Sequence, residues 1–509
     1  MGAQQSKSSP DVMAAVAHEQ AILERLQKFR SEDDFVYVEN EKGPLFNGAI
    51  SGRQSEKLAI ELTQNWQSRV LADPKNRLAL SAFSSANPRD VLASRATKIA
   101  DQQVFNIRIP FEGAPITNQR SSGRCWLFAS TNVFRIAIMK KYNLDSFELS
   151  QAYLFFWDKL EKSNFFLENI IETADQPLDG RLVQRLFADP ISDGGQWDMV
   201  YNLVEKYGLV PQTLYPDSWN AMSSSTVNSI VVAKLREYAV ILRDLVNSSA
   251  TTAASLSATK DKMLREVHLI LTLTLGPPPS TTEEFEWNFI DKEGRARSVI
   301  STPHKFANDI SSQDFRITSS TIASMVSLVH DPRHEPLNLM TVDRLGNIVG
   351  GRGITYINVD IETLKQACIS MLRAGLPVFF GSDVGKYSER GSGIMDIDLF
   401  DYELGFNVSL YGSLDKAARL RVGESAMTHA MVLTAVHVDG DGRPVRWKVQ
   451  NSWGTDVGSK GWFVMSDRWM DQFVYQAVVD PKFLSRKVRD VLTKEPIVLP
   501  LWDPMGSLA

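Results

Sequence analysis

The stretch 119–130 constrains the fold of this chain more than any other part of its sequence. It reads Gln-Arg-Ser-Ser-Gly-Arg-Cys-Trp-Leu-Phe-Ala-Ser. After Cys125, apolar residues recur at helical spacing, and the run closes with Lys140-Lys141, as cations favour a helix C-terminus. The pattern predicts an amphipathic helix that begins at Cys125. A thiol at that position lies at the positive end of the helix dipole, which lowers its pKa and favours a nucleophilic thiolate.

Two interpretations of Cys125 are open at this point. An arbitrary cysteine is most often a half-buried structural residue. Six residues upstream, however, Gln119 carries a neutral amide that could join the Cys125 backbone N–H in an oxyanion hole. A catalytic cysteine also needs an imidazole that holds the ion pair and protonates the departing amine, and a third group that orients the imidazole.

The candidate base is found among seven histidines. His429 interrupts the start of an apolar strand, and one hairpin later the chain reads Gln-Asn-Ser-Trp-Gly at 450–454. An antiparallel hairpin can bring Asn451 beside His429, so that its amide oxygen accepts the imidazole N–H while Trp453 shields the pair from water. By pattern alone, His429 could equally be a core histidine and Asn451 a turn residue.

Together, these motifs resemble those of the papain-like cysteine peptidases. The family's Asn-Gln-Gly-Ser-Cys-Gly-Ser-Cys-Trp stretch corresponds to residues 118–126, its Glu-Leu-Ser to 148–150, its His-Ala to 429–430 and its Asn-Ser-Trp-Gly to 451–454. The resemblance implies an α+β fold with a helical half and a β-rich half. It also implies five roles: Cys125 as nucleophile, His429 as base, Asn451 as its orienting partner, Gln119 in the oxyanion hole, and Trp453 as the shield.

A pair of glycines follows in Asp193-Gly194-Gly195. By pattern alone this is a turn that enters a helix, because paired glycines allow close backbone approach. In the papain-like family the second glycine lines the cleft and bonds the substrate main chain. The resemblance therefore makes Gly195 the candidate substrate-binding residue.

Departures from the secreted members of the family point to one branch of it. Ser122 and Ser192 stand where those members carry a disulfide, a loss that a reducing compartment allows. The second cysteine of the chain, Cys368, is expected to be a small buried residue in a helix. His429 lies 304 residues after Cys125, about 160 more than the usual separation of about 130 to 150, which predicts a large insertion. These features resemble the bleomycin hydrolase branch, whose members are intracellular papain-like aminopeptidases.

The predicted organisation has five parts. They are an N-terminal tail and helical arm (1–95), the helical half with the nucleophile (96–215), a helical and hairpin insertion (216–355), the β-rich half with the His and Asn (356–490), and a C-terminal arm (491–509). Periodicity and turn signals predict helices over 12–29, 55–71, 230–246 and 260–275, and a hairpin of strands 286–290 and 296–300.

The C-terminal arm acquires a role only through the resemblance. In the bleomycin hydrolase branch it enters the subunit's own active-site cleft, and its terminal carboxylate faces the amino group of the substrate. This makes Ala509 the candidate anchor for a substrate α-ammonium. If the trimming known in that branch applies, the encoded chain ended one residue later.

Charge and composition limit the partners. The chain has 55 Lys and Arg against 60 Asp and Glu, a net charge of −5, which speaks against binding of nucleic acid or anionic membranes. No spanning apolar run or secretory signal is present, so we expect a cytoplasmic protein, with a mitochondrial pool as an open alternative. The first six residues match an N-myristoylation pattern, so membrane association through an acylated Gly2 is also open. No metal or other cofactor is expected.

The leading functional hypothesis is a broad-specificity cysteine aminopeptidase that acts on peptides with a free N-terminus and on bleomycin-type amides. The resemblance further implies a homohexamer with active sites facing an interior chamber. Hydrolysis of thiolactones is a compatible side activity. The alternatives are a papain-like endopeptidase and, from another class, a nucleic-acid-binding hexamer.

Overall fold

The structure is a computed structural model that describes residues 57–309, 324–412 and 414–508. The predicted helix over 12–29, Gly2 and Ala509 lie outside these ranges. The described chain forms two compact units. The smaller takes its residues from Met1–Val91 and Tyr402–Asp415, and the larger from Leu92–Asp401 and Lys416–Ala509.

The smaller unit begins with the helices α1 (Ile60–Ala72), α2 (Pro74–Phe83) and α3 (Pro88–Val91). The first confirms the helix predicted over 55–71, with a start a few residues later. Asp73 separates α1 from α2, and its side chain caps α2 by accepting the Lys75 N–H at 2.8 Å. Neither α1 nor α2 contains a buried residue.

The helices continue through the larger unit, interrupted once by a helix of the smaller unit at Tyr402–Phe406. They are α4 (Arg95–Ala100), α5 (Cys125–Lys141), α6 (Gln151–Glu172), α7 (Arg181–Ala188), α8 (Trp197–Tyr207), α9 (Trp219–Met222), α10 (Ser225–Val246), α11 (Ala253–Leu275), α12 (Pro303–Asn308), α13 (Ile361–Arg373), α14 (Tyr402–Phe406), α15 (Lys416–Arg421), α16 (Asp467–Phe473) and α17 (Arg486–Arg489).

The strands of the described residues form one large mixed sheet and one hairpin. They are β1 (Ile107–Arg108), β2 (Phe285–Ile290), β3 (Ala296–Ser301), β4 (Val326–Val329), β5 (Asn338–Val342), β6 (Tyr356–Asn358), β7 (Val378–Ser382), β8 (Ser388–Glu389), β9 (Ile394–Met395), β10 (His429–Val438), β11 (Pro444–Gln450), β12 (Trp462–Ser466), β13 (Val474–Val479) and β14 (Ile497–Leu499). The sheet order is β14-β5-β6-β4-β13-β7-β10-β11-β12-β9-β8, with β1 beside β10, and β2 pairs with β3.

The centre of the sheet explains where the catalytic candidates lie. Strand β10 runs antiparallel to both β7 and β11, and its first residue, His429, pairs with Ser382. Strand β11 ends at Gln450, which pairs with Val432. Asn451 therefore leaves the sheet at the same end at which His429 enters it, as the predicted hairpin requires.

Helix α5 is buried on all sides, and the prediction that it is amphipathic is wrong. Every residue from Cys125 to Met139 is buried. The helix packs on β7 and β10 on one side and on α6 and α8 on the other. Because apolar and small residues meet a neighbour in every direction, no solvent-facing stripe remains until Lys140.

The long stretch between the two halves of the site is helical and then forms a hairpin. Helices α10 and α11 confirm those predicted over 230–246 and 260–275, and both pack on α6. The β2–β3 hairpin is also as predicted. Its Trp287 packs against Tyr142 at the end of α5, with ring centroids 5.5 Å apart. The five domain boundaries given above stay predictions.

Candidate active site

Cys125 is the first residue of α5 and is almost completely buried. The backbone of Ala430, the residue that follows His429, lies close enough to the thiol to lower its pKa. The nucleophile candidate therefore lies directly beside the start of β10. Helix α5 contributes the thiol and the sheet contributes the histidine, and the two meet where the helical half packs on the sheet.

The imidazole of His429 is fixed by the residue that ends the next strand. Its Nε2 lies 2.9 Å from Oδ1 of Asn451. The same Oδ1 accepts the backbone N–H of Ser452 at 2.8 Å, which identifies the atom as the amide oxygen. His429 must then donate from Nε2, leaving Nδ1 as the acceptor for a thiol proton. The Trp453 ring lies 4.8 Å from the imidazole, centroid to centroid.

Gln119 is held by Ser452, a residue that the sequence reasoning missed. The Gln119 backbone N–H donates to the Ser452 carbonyl at 2.8 Å, and Ser452 Oγ donates to Gln119 Oε1 at 2.7 Å. Nε2 of Gln119 donates one proton to the Ser122 carbonyl at 2.7 Å, so one amide proton remains for an oxyanion. Ser452 stands between Asn451 and Trp453 in the Asn-Ser-Trp motif, and this position is the signal in the sequence that could have identified it.

Gly195 lies flat on the indole of Trp126, the neighbour of Cys125. A Cβ at Gly195 would come within 2.5 Å of that ring. The ring is held in turn by a hydrogen bond from its Nε1 to the Asp193 carbonyl at 2.6 Å. Close packing alone thus requires glycine here, and it brings the 193–195 segment next to the nucleophile.

A cluster of buried charges supports this segment, and it too was missed from the sequence. The Asp193 carboxylate accepts from the Gly123 backbone N–H at 3.0 Å and from Asn228 Nδ2 at 2.7 Å, and it pairs with Lys159 Nζ at 2.5 Å. Burial alone would raise the pKa of Asp193, but Lys159 and the hydrogen bonds hold it well below its usual range. Lys162 Nζ donates to the Gly194 carbonyl at 2.7 Å.

The C-terminal tail, residues 500–508, runs into the same region. Ser507 touches both walls of the cleft: its carbonyl accepts from Gln196 Nε2 at 2.9 Å, and its Oγ donates to the Met427 carbonyl at 2.7 Å. Gln196 follows Gly195, and Met427 lies two residues before His429. Ala509, the predicted anchor, lies outside the described residues.

Burial opposes charge on both members of the candidate pair. Desolvation raises the pKa of the Cys125 thiol to about 11. Desolvation also lowers the pKa of His429 to about 4, although the hydrogen bond that His429 donates to Asn451 acts in the opposite direction. The thiolate predicted from the helix dipole is therefore disfavoured in this closed arrangement, because little water reaches either group.

No metal site accompanies these residues in the described ranges. Within those ranges, no group of three or more His, Cys, Asp or Glu side chains could hold an ion. The same part of the chain contains no helix with the length and apolar character to cross a membrane.

The arrangement defines the site of a papain-like cysteine peptidase: a thiol at a helix N-terminus, an imidazole oriented by an asparagine, and a glutamine amide beside them. The structure brings together Gln119, Cys125, Gly195, His429, Asn451 and Trp453, and their individual roles stay predictions.

Comparison with known proteins gives the same class. The model of the Peptidase C1-like family matches residues 57–506, and the chain belongs to this family. It is 43% identical over 466 residues to bleomycin hydrolase of Homo sapiens, covering 90% of this chain and 99% of that protein. It is 40% identical over 465 residues to the mitochondrial cysteine proteinase 1 of Saccharomyces cerevisiae, covering 90% of this chain and 94% of the relative.

A solved structure is similar along its whole length. The crystal structure of PepW from Lactobacillus rhamnosis superimposes on this chain with a TM-score of 0.84 at 41% identity. The match covers 90% of this chain and 100% of the PepW chain. The α+β papain-like fold and the assignment as a cysteine peptidase, a hydrolase, are thereby confirmed. The resemblance to the bleomycin hydrolase family is confirmed as well.

Proposed function

We propose that this chain is a cysteine aminopeptidase of broad specificity, which removes N-terminal residues from peptides and hydrolyses related amides. The observation that carries the proposal is the course of the C-terminal tail. Ser507 bridges Gln196 and Met427, so the tail lies across the cleft beside the candidate nucleophile. A cleft that is blocked on one side accepts a chain end more readily than the middle of a chain.

The proposed reaction passes through an acyl-enzyme. Sγ of Cys125 attacks the scissile carbonyl carbon, and the resulting oxyanion accepts from the Cys125 N–H and the remaining amide proton of Gln119. His429 takes the thiol proton and delivers it to the departing amine, which leaves a thioester. His429 then accepts a proton from water as the water attacks the thioester, and collapse releases the carboxylic acid and restores the thiol.

The supporting residues act through orientation and exclusion of water. Asn451 holds the Nε2 of His429, so the ring presents Nδ1 to the thiol through the whole cycle. Trp453 covers His429 and Asn451, and it strengthens the hydrogen bond between them by keeping water away. Gly195 is the proposed partner of the substrate main chain, since its lack of a side chain lets its backbone lie against the Trp126 ring next to the nucleophile.

The terminal carboxylate supplies the proposed selectivity. Ala509 follows Ser507 by two residues, so its carboxylate is expected near the position of a substrate α-ammonium. Opposite charges attract strongly where water is scarce. A substrate extended or acetylated at its N-terminus would lose this attraction and would collide with the tail.

We also propose that this chain hydrolyses amides other than peptides. Relatives from Homo sapiens and Rattus norvegicus are named bleomycin hydrolase, and we propose amides of that type as substrates of this chain. A thioester-forming cysteine also opens thiolactones, because their carbonyl carbon undergoes the same attack.

The test compares an amino-acid amide fluorophore with its N-acetylated form, using the intact chain and a version that lacks residues 505–509. We expect the intact enzyme to cleave only the free amine and the truncated enzyme to cleave both. Cys125→Ala serves as the blank. Equal cleavage of the blocked substrate by both versions would favour the endopeptidase alternative, and activity in Cys125→Ala would refute the thiol mechanism.

We also infer self-association, with a homohexamer as the expected state. The support is the apolar surface of α1 and α2 in the smaller unit, where Ile60, Trp66, Val70 and Leu78 are each 47–72% exposed. Isolated helices with so much apolar surface are uncommon on monomers. Light scattering on the intact chain and on Trp66→Glu tests this inference, which a monomeric mass for the intact chain would refute.

The cell compartment is proposed as the cytoplasm. Both cysteines in the described residues are free, Cys125 and Cys368. A thiol nucleophile without structural disulfides suits a reducing compartment. Cell fractionation tests this proposal, and recovery in the membrane pellet or in mitochondria would favour acylation of Gly2 or the mitochondrial alternative.

A further inference from the structure

The base of the C-terminal tail is fixed by one paired charge. Asp503 meets the guanidinium of Arg333 through two hydrogen bonds, Nη2 to Oδ1 at 2.7 Å and Nη1 to Oδ2 at 3.2 Å. The two side chains are only 10% and 12% exposed. Two parallel charge-assisted bonds define an orientation as well as a position, which one bond does not.

Arg333 is itself held from the core side. Asp331 accepts from Arg333 Nε at 2.9 Å and from Nη2 at 2.7 Å. Asp331 is buried, and its backbone N–H donates to Oδ1 of Asn358 at 2.9 Å, at the end of β6. Asp503 is therefore held in a fixed position relative to the central sheet, through Arg333 and Asp331.

The same carboxylate directs the chain that follows it. Oδ1 of Asp503 accepts the Met505 N–H at 2.8 Å, and the Asp503 carbonyl accepts the Gly506 N–H at 2.8 Å. A short 3-10 turn, Pro504–Gly506, results. Only this turn separates the fixed Asp503 from Ser507 in the cleft, so a displaced Asp503 would shift the end of the tail.

The other hydrogen bonds and the cation–π contact of the tail are weaker as anchors. The Tyr356 hydroxyl reaches the Met505 carbonyl at 3.3 Å, and the Arg181 guanidinium lies 4.3 Å from the ring centre of Trp502, a residue that is 37% exposed. Ser507 makes single neutral hydrogen bonds. Hydrogen bonds between charged groups are about twice as strong as neutral ones.

We propose that Arg333 is a positioning residue for specificity: its pairing with Asp503 sets how far the C-terminal tail reaches into the cleft and thereby excludes substrates with a blocked or extended N-terminus. This inference rests on the proposed aminopeptidase function. Arg333 touches neither the substrate nor the reacting atoms. Its effect passes through the tail alone.

The test uses two single variants of the full chain. Asp503→Asn keeps an oxygen that can cap the Met505 N–H but loses the charge that pairs with Arg333. Arg333→Gln removes the guanidinium from the other side. For each we measure kcat/KM on a free amino-acid amide fluorophore and on its N-acetylated form, together with hydrogen exchange of the amides of residues 505–508.

We expect the preference for the free amine to fall on the order of tenfold in both variants, mainly through a lower KM for the blocked substrate. Exchange at 505–508 should accelerate. Arg443→Gln is the matched control, because Arg443 also makes paired bonds to carboxylates, of Asp439 and Asp441, but at a surface turn with 72% side-chain exposure. The preference of Arg443→Gln for the free amine should equal that of the wild type.

The version without residues 505–509 separates the two ways of failing. If truncation abolishes the preference while Asp503→Asn and Arg333→Gln keep it, the tail is the selective element and the role of Arg333 is wrong. If the truncated chain still prefers the free amine, the tail is not the selective element and the role of Arg333 fails while the aminopeptidase function stands. If the intact chain shows no preference for the free amine, the proposed aminopeptidase function fails first. Should Arg333→Gln fail to fold, Asp503→Asn alone decides, since it leaves the Arg333–Asp331 pair intact.

Discussion

The backbone N–H of Gly123 donates to the carboxylate of Asp193 across 3.0 Å and so joins the loop before the nucleophile to the loop that ends in Gly195. The two chains approach so closely that a Cβ at Gly123 would lie 2.7 Å from that of Asp193. Gly123 follows Ser122, and Asp193 follows Ser192. At both serine positions, secreted papain-like enzymes carry a cysteine of a disulfide. An ionic hydrogen-bond cluster thus connects the loops in a manner that reductants leave intact.

Asp193→Asn should lower the free energy of unfolding by about 3–5 kcal/mol, because it leaves the buried ammonium of Lys159 without its carboxylate. Urea unfolding monitored by fluorescence measures the change. Asp439→Asn, in an exposed turn, is the control and should change it by no more than about 0.5 kcal/mol. An unchanged urea midpoint for Asp193→Asn would show that the cluster does not stabilise the fold.

Ser452→Ala should lower kcat about tenfold or more with little change in KM, because Gln119 loses the hydroxyl that fixes its amide. Gln119→Ala should cost about 10²–10³ in kcat. The double variant should be no slower than Gln119→Ala alone, since both changes remove the same donor. Independent, multiplying effects on kcat would contradict a shared role.

Gly195→Ala should destabilise the protein by about 1–3 kcal/mol and reduce kcat/KM, since its Cβ would meet the Trp126 ring at 2.5 Å. Thermal unfolding and amide hydrolysis measure the two effects. Gly353→Ala is the matched control, because nothing lies within 4 Å of a Cβ built there. Normal stability and activity in Gly195→Ala would show that the ring yields and that the glycine is dispensable.

His330 offers a pH-dependent test away from the catalytic pair. Burial, with Lys416 nearby, lowers the pKa of His330 to about 4. The unfolded chain, with a histidine pKa of about 6.5, then binds more protons than the folded chain between those values, so stability falls as the pH drops from about 6.5 to 4. His330→Gln should show a shallower decline over this window in urea unfolding. Parallel curves for the variant and the wild type would rule out this contribution.

Removal of residues 505–509 should make Cys125 easier to alkylate. Burial raises the pKa of the thiol to about 11, and opening the cleft admits water that stabilises the thiolate. The pH midpoint of the alkylation rate with iodoacetamide should move to lower pH in the truncated chain. The same midpoint in both chains would mean that the tail does not contribute to the desolvation of Cys125.

Local motifs made the centre of the site predictable from the sequence. Cys125 begins a helix, and Asn451 ends the strand that pairs with the one begun by His429, as the hairpin pattern requires. The all-round burial of α5 was not predictable, because amphipathicity depends on which neighbours cover the helix. A sequence shows the periodicity of one helix but not the sheet and the helices that enclose it.

Pairings of distant residues were likewise beyond local patterns. Asp193 meets Gly123 from 70 residues away, and Asp503 meets Arg333 from 170 residues away. In the sequence each is an ordinary acidic residue in a loop, and neither lies in a motif that specifies a partner. Only the folded chain brings each of these carboxylates to its partner.

The tail, which contacts Gln196 through Ser507, belongs to the same molecule as the cleft it occupies. Its effective concentration at the site is therefore set by a short tether, on the order of millimolar or above, and does not change when the protein is diluted. A free peptide with the tail's sequence should compete poorly with it. Under the proposed function, the tail limits how far a substrate extends past the scissile bond, so displacing the tail should change selectivity without altering any catalytic side chain.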